Sequence, residues 1–456
     1  MNAAPADRVR RWAAQLQARV PRYTSYPTAP HFTGAIGPGR LKAWLGALET
    51  AAPISLYVHV PFCRRLCLYC GCNTTIVSRH RPIGAFVDDL LAEIDLVADT
   101  LPARLQVGHL HFGGGTPTAL SPAEFAAIRA RLRLRFDVRP DAEIAVEIDP
   151  RSLNPKMAET LAACGVNRAS LGVQDFDPDV QRAIHREQPA QMVRDAVGML
   201  RAPGIQRIGF DLIYGLPLQT VASVERTVDL AAGMRPDRVA LFGYAHVPWM
   251  KPHQKALERY RLPDAFARWD MAEAAARRLV AHGYQRVGFD HFALADDDLA
   301  RAAGMGSLRR NFQGYTTDRA DTLIALGPSG ISTLPQGYAQ SIADTAEWRK
   351  AVRAGELPVA RGRALTDDDR LRRAAIERLM CDLAVDVEAV ARAFGRDPAV
   401  LGDAMERLYG LAAVGIVAID GWRVRMQDGA RPLVRSAAAC FDAYLAKEAQ
   451  RHAVAV

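Results

Sequence analysis

SLYVHVPFCRRLCLYCGCN, residues 55–73, runs from a short apolar stretch straight into a loop carrying four cysteines. The opening SLYVHV is rich in β-branched and aromatic residues, as a buried strand is. Five further runs of the same kind follow: LHFGG from 110, IAVEID from 144, RASLGVQ from 168, RIGFDLIYG from 207 and RVALFGYAHV from 238. Longer helical patterns separate them, with helix-start signals at Ser121-Pro122 followed by Glu124, and at Asp177-Pro178. Strand-like runs alternating with helices predict an α/β fold of repeated βα units around a parallel sheet.

Chemistry in such sheets gathers at the carboxyl ends of the strands. Here those ends hold the cysteine loop, Gly113-Gly114-Gly115-Thr116-Pro117, Glu147 with Asp149, Gln174 with Asp175, Asp211, and Tyr244 to His246. Beyond about residue 250 the rhythm fades, and GFDHFALADDDLA from 288 and RNFQGYTT from 310 show no readable period. From Thr366 the pattern turns helical, and IVAIDGWRVRM, with Asp420-Gly421 as a turn signal, predicts a hairpin in a small winged-helix-like domain. The expected division is an N-terminal arm over 1–54, a barrel domain with its extension over 55–365 and a helical domain over 366–456.

A chain of 456 residues suits one large domain of about 200–250 residues plus a smaller one. No uncharged apolar stretch of about 18 residues occurs, which argues against membrane insertion. The first twenty residues lack a continuous apolar core and carry Asp7, so the expected location is the reducing cytoplasm. In that compartment four cysteines packed between Cys63 and Cys72 suit metal or redox chemistry better than disulfides. Cys164, Cys381 and Cys440 are isolated and read as small buried hydrophobes. The net charge of +8 is dispersed along helices, and RARLRLRF at 129–136 reads as a solvated helix face, so no nucleic-acid partner is expected. A monomer is expected.

Cys63, Cys67 and Cys70 have the spacing CxxxCxxC, suited to wrapping a cuboidal iron-sulfur cluster. Three thiolates leave one iron open to a small ligand. Zinc is the alternative, but a closed zinc site wants four ligands, usually with a second Cys or His pair, and none stands at a suitable distance. Cys72 is a fourth thiol, though two residues past Cys70 is tight for a single tetrahedral site.

CxxxCxxC with Tyr69 before its last cysteine resembles the motif of the radical S-adenosylmethionine superfamily, and GGGTP from 113 resembles that superfamily's glycine motif. More narrowly, the whole chain resembles the oxygen-independent coproporphyrinogen III oxidases of haem biosynthesis. The matching stretches are PRYTSYPTA from 21, LYVHVPFC and CLYCGCN within 56–73, HFGGGTPT from 111, EIDPR from 147, LGVQDF from 171 and HREQ from 185. They continue with DLIYGLP from 211, YAHVP from 244, DHFA from 290, RNFQGYTT from 310 and CFDAYL from 440.

The resemblance implies an open six-stranded (β/α)6 partial TIM-type barrel, one [4Fe-4S] cluster on Cys63, Cys67 and Cys70, and two molecules of S-adenosylmethionine. It implies cofactor contacts for Tyr57, Tyr69, Gly114, Gly115, Thr116, Glu147, Gln174, Arg186, Asp211, Ala245 and Ile331, with Tyr57 also beside the catalytic cluster. The glycines would let backbone approach the methionyl moiety, Glu147 and Asp211 would accept from ribose hydroxyls, and the Arg186 fork would hold a carboxylate. The implied reaction converts two propionates of coproporphyrinogen III to vinyl groups through a 5'-deoxyadenosyl radical, with an electron donor and an electron acceptor as partners. Arg22 and Arg310 are candidate partners for the substrate carboxylates.

At 326–332 the chain reads LGPSGIS, which places Pro328 where a backbone donor is usual and puts the Ile331 contact in question. The rival readings are a haem chaperone that keeps the cysteine loop, a haem-degrading methyltransferase, and a zinc-stabilised nucleic-acid module. Cys72 and PRYTSYPTA go with the oxidase rather than the chaperone.

Overall fold

The computed structural model describes residues 9–445. Residues 1–8, with Asp7, and 446–456 lie outside the described residues. Each of the six apolar runs forms a strand: β1 (Ile54–Val60), β2 (Gln106–Gly114), β3 (Asp137–Ile148), β4 (Arg168–Gln174), β5 (Arg207–Tyr214) and β6 (Arg238–Gly243). They pair in parallel in chain order. Helices follow them at α1 (Arg81–Thr100), α2 (Pro122–Arg135), α3 (Pro155–Ala163), α4 (Ala190–Arg201), α5 (Val221–Ala232) and α6 (Ala265–Ala281). Ser121 and Glu124 form the capping box that starts α2, and Asp177 caps the short helix Pro178–Ala183. The open parallel (β/α)6 barrel expected from the sequence is therefore the architecture observed. In α2 the basic face is not wholly solvated: Arg131 and Arg135 pair with Asp95 and Asp99 of α1, and Arg129 is buried with Nε donating to Cys164 O at 3.0 Å.

The unperiodic region after residue 250 extends this sheet at both edges to twelve strands. β7 (Gln285–Val287) and β8 (His291–Ala293) lie beyond β6, with β8 antiparallel to it. A separate antiparallel pair, β9 (Arg309–Asn311) with β10 (Gly314–Thr316), carries RNFQGYTT. β11 (Leu323–Leu326) lies parallel to β1 on its free side, and β12 (Ile331–Leu334), β13 (Gly337–Ser341) and β14 (Val359–Ala364) continue antiparallel. β1, the strand that delivers the cysteine loop, is thus flanked on both sides.

The C-terminal part has α7 (Asp367–Asp382), β15 (Ala384–Asp386), α8 (Val387–Ala393), α9 (Gly402–Ala413), β16 (Val417–Asp420) and β17 (Arg423–Met426). β16 and β17 form the expected hairpin, with Asp420 paired to Arg423 and Gly421 at φ 56° in the turn. The arm laces barrel to C-terminus. Trp12 packs edge-on against Trp269 of α6 at 5.6 Å, and its Nε1 donates to Val414 O at 2.9 Å. Tyr23 donates to Asp442 Oδ2 at 3.0 Å, and Tyr338 donates to Tyr26 O at 3.2 Å. The motifs PRYTSYPTA and CFDAYL thereby meet, within one apolar core that runs from Trp12 to Phe441.

Period-two alternation turns one face of every barrel strand inward. At the floor, Arg168 donates to Glu143 at 2.9 Å and Arg238 to Asp297 at 2.7 Å, while Arg168 lies 3.5 Å from Asp297. Above them a 340 Å³ cavity is lined by His111, Glu147, Ser170, Asp211 and Phe242, among others.

Candidate active site at the barrel mouth

The cysteine loop leaves β1 at the barrel's carboxyl end. Residues Phe62–Cys63 pair with Thr75–Ile76, Val77 N donates to Cys63 O at 3.0 Å, and Cys70 N donates to Cys67 O at 3.1 Å. Cys67 is buried, Cys63 and Cys70 are half-buried and Cys72 is exposed. Donors converge on the sulfurs: Arg151 Nη2 lies 3.3 Å and Arg186 Nη1 3.4 Å from Cys67 Sγ, and Cys63 Sγ shares a 3.4 Å hydrogen bond with Thr116 Oγ1. Burial pushes the Cys63 thiol up to about 11, whereas a hydrogen bond from Cys72 holds Cys70 below its ordinary range. Thiolates on an iron-sulfur cluster accept such hydrogen bonds, so the donor set fits that group. Among the described residues no three His, Cys, Asp or Glu side chains close on one point as a single metal ion requires.

The loop is stapled from outside by a stretch absent from the sequence reading. Lys251 Nζ donates to Cys72 O at 2.7 Å, His253 Nε2 lies 2.8 Å from Cys70 O, and Gln254 Nε2 donates to Tyr69 O at 2.9 Å. Their separation from the loop by some 180 residues leaves no local signal, which is why spacing rules could not find them.

Gly113 to Thr116 end β2 against this loop. Gly115 N donates to Val60 O at 2.8 Å and Thr116 N to Phe62 O at 2.8 Å. The glycines are demanded by the protein itself: a Cβ on Gly113 would sit 2.7 Å from Glu147, one on Gly114 (φ 112°) 2.7 Å from the His59 ring and one on Gly115 2.6 Å from Phe62 O.

Tyr57 and His59 share the inward face of β1. Tyr57 stacks on His111 at 5.8 Å and its hydroxyl lies 3.0 Å from His59 Nδ1, while His59 Nε2 lies 3.0 Å from Asn73 O. Glu147 ends β3, with His111 Nε2 at 3.1 Å and the Gly114 amide donating at 3.2 Å. Burial favours the neutral acid, but His111 and the Gly114 amide outweigh it and keep Glu147 below the usual carboxylate range. Asp211 differs. It sits mid-strand rather than at the strand end the sequence suggested, accepts from Ser170 at 3.3 Å, and is lifted to about 7 by burial and then by the charge of Glu147.

Arg186 is buried with Nη2 donating to Gly172 O at 2.5 Å, and its Nη1 also reaches Asp149 at 3.4 Å. Gln174, left-handed at φ 68°, brings its amide beside Arg186 over Gly172. Tyr69 packs with Leu68, Val180 and Leu216. Ala245 is half-buried in the loop after β6, and Ile331 is half-buried at the start of β12. Pro328 leaves no amide wanting: Gly327 N donates to the buried Glu93 at 2.6 Å and Ser329 N to Ile342 O at 2.9 Å. The His59, His111 and Arg151 roles were also missed in the sequence, although Tyr57-His59 and His111-Gly113 share the inward period-two face.

A parallel barrel with three cysteines on the β1 loop and a glycine motif on β2 defines the radical S-adenosylmethionine class, and the Radical SAM superfamily model matches residues 57–231. The chain is 50% identical to an oxygen-independent coproporphyrinogen III oxidase of Bradyrhizobium diazoefficiens, over 96% of this chain and 98% of that one. It is 44% identical to an anaerobic coproporphyrinogen III oxidase of Cereibacter sphaeroides, over 95% and 96% of the two chains. The solved radical S-adenosylmethionine coproporphyrinogen III oxidase of Escherichia coli superposes with a TM-score of 0.89 at 36% identity, covering 94% of this chain and all of that one. The chain belongs to the oxygen-independent coproporphyrinogen III oxidase family.

Proposed function

We propose that the protein carries out the anaerobic oxidative decarboxylation of two propionates of coproporphyrinogen III to vinyl groups, giving protoporphyrinogen IX for haem synthesis in the cytoplasm. The observation that carries this reading is the sulfur-directed pair Arg151 and Arg186 on Cys67, set in a chain that matches these oxidases almost end to end. Family membership brings an iron-sulfur cluster and S-adenosylmethionine. Cys63, Cys67 and Cys70 would hold one [4Fe-4S] cluster, and two S-adenosylmethionine molecules would share the mouth. When bound, these groups would supply the radical chemistry that removes hydrogen from a propionate, with loss of carbon dioxide and passage of one electron to an acceptor.

The protein's own residues do the holding. Tyr57, Tyr69, Gly114, Gly115, Thr116, Glu147, Gln174, Arg186, Asp211, Ala245 and Ile331 form the cofactor surface. Glu147, ionised, accepts hydrogen bonds from hydroxyls, and the Arg186 fork, with two of its nitrogens on Cys67, Asp149 and Gly172, keeps that wall in place. No helix among the described residues is long and apolar enough to cross a membrane.

The test is anaerobic incubation of the reconstituted, reduced protein with coproporphyrinogen III, S-adenosylmethionine and cell extract as a source of acceptor. Chromatography should show protoporphyrin and 5'-deoxyadenosine together, and neither from Cys67→Ser. Cofactor cleavage that leaves coproporphyrinogen untouched would sink the decarboxylase reading.

A further inference from the structure

Several buried charges of the described residues pair with one another. At the floor Glu143, Arg168, Arg238 and Asp297 answer each other, and Asp89 of α1 takes Arg349 and Arg353. Where the arm crosses the end of β6, Arg22, Arg310 and Arg435 lie within electrostatic reach of one carboxylate, Asp290, with Arg268 beside Arg22. Arg22 on the arm donates to Gly243 O at 3.1 Å and lies 5.8 Å from the Phe242 ring. Arg310 reaches Arg22 O at 3.4 Å and lies over the Tyr315 and Phe289 rings at 4.5 and 5.2 Å. Arg435 also lies over the Phe289 ring, at 5.9 Å, and Arg268 donates to Tyr244 O at 2.9 Å. Of the groups acting most strongly on Arg22 and on Arg435, Asp290 is the single carboxylate.

Asp290 does not satisfy Arg310. One of its oxygens is taken by His291 at 2.6 Å, and the other is 3.8 Å from Arg310. The Arg310 side chain is only 3% exposed, yet its Nη1 has no hydrogen-bond partner. A buried guanidinium nitrogen without an acceptor is a standing penalty that an incoming anion relieves. Arg22, by contrast, is open to solvent, and Cys72 of the cluster loop is among its electrostatic neighbours. Arg22 therefore stands at the carboxyl end of β6, the end of the barrel that carries the cysteine loop, and guanidinium forks match carboxylates in shape.

We propose that Arg22 and Arg310, backed by Arg268 and Arg435, form a carboxylate-binding corner that holds a propionate of the porphyrinogen while another propionate is presented to the cluster side. This rests on the proposed function for the identity of the ligand, but on the corner alone for its chemistry. The methionyl carboxylate of the cofactor has the same chemistry, so the experiment separates the two sources.

The reconstituted protein is titrated anaerobically with coproporphyrin III, read by its fluorescence, and separately with S-adenosylmethionine. Arg22→Met, at an exposed position, should keep the wild-type melting curve and weaken coproporphyrin binding about tenfold, with Arg22→Lys partly restoring it and Arg310→Met behaving alike. The affinity for S-adenosylmethionine should not move. Coproporphyrin affinity within about twofold of wild type in both methionine variants would overturn the corner. Weakened S-adenosylmethionine binding with porphyrin binding intact would overturn its assignment to substrate. A wild type that binds coproporphyrin through Arg22 but forms no vinyl product would leave the corner standing and remove the proposed reaction instead.

Discussion

At the floor of the barrel Glu143 is bonded to Arg168, with Arg238 and Asp297 completing the set. Four residues further along the same strand Glu147 meets only neutral-capable partners, His111 and the Gly114 amide, and across the cavity Asp211 has one serine. Burial pushes Glu143 up, but Arg168 and Arg238 outweigh it and hold the carboxyl down at about 2, whereas Asp211 is lifted to about 7. One sheet therefore spends its lower charges on itself and keeps its upper ones for ligands. Perturbed groups facing a cavity mark the end at which binding happens.

Removing a partner at the floor should give the largest stability loss. Glu143→Gln leaves buried Arg168 and Arg238 to share Asp297 as counterion, and urea unfolding at pH 7 should show a loss of about 3 kcal/mol with little change in turnover by the folded fraction. The sign follows from the depressed pKa. The stabilisation is present above about 4.5, the ordinary value, and disappears as pH falls toward about 2, so wild type and variant should converge in acid. Equal stability at pH 7 would break the contrast from below.

At the mouth the corresponding change should act on chemistry. Arg186→Met removes the donor to Cys67 Sγ and Gly172 O, and steady-state kinetics should show kcat/KM for S-adenosylmethionine reduced about 10- to 100-fold, with Arg186→Lys a poor substitute because one ammonium cannot span both acceptors. Undiminished kcat/KM in the methionine variant would mean that the fork is only packing.

The last change sharpens the comparison through its opposite sign. A carboxyl with a raised folded pKa binds its proton more tightly folded than unfolded, so the wild type loses stability as pH rises from about 3.8 to about 7. Asp211→Asn removes that slope. Thermal melts of the cofactor-free protein should match near pH 4 and favour the variant at pH 8; a variant less stable at pH 8 would show Asp211 ionised and stabilising.

The barrel was legible because each of its strands is a compact apolar run with its helix close behind, as RASLGVQ and RIGFDLIYG show. β7 to β14 were not, since strands of three to six residues such as Gln285–Val287 carry too little pattern and owe their existence to pairing, β8 on β6 and β11 on β1 far away in the chain, the others on these or, for β9 and β10, on each other. The site divides in the same way. Cys63, Cys67, Cys70 and the glycine run are local spacings and could be read directly, while Lys251, His253 and Gln254 acquire meaning only when folding carries them to the loop. Asp211 was found for its chemistry but placed at a strand end, because a carboxylate inside a strand looks like a boundary until the barrel interior makes room for it.

The contact between Trp12 and Val414 spans 402 residues of chain. Synthesised at about 5–20 residues per second, the arm leaves the ribosome roughly 20–80 s before the segment that fastens it. Once Ala281 has been made, the cysteine loop and the parallel barrel are complete while Val414 is still to come, so the arm bearing Arg22 waits for its far anchor. Fastening of the arm is thus set by the order in which Trp12 and Val414 are made.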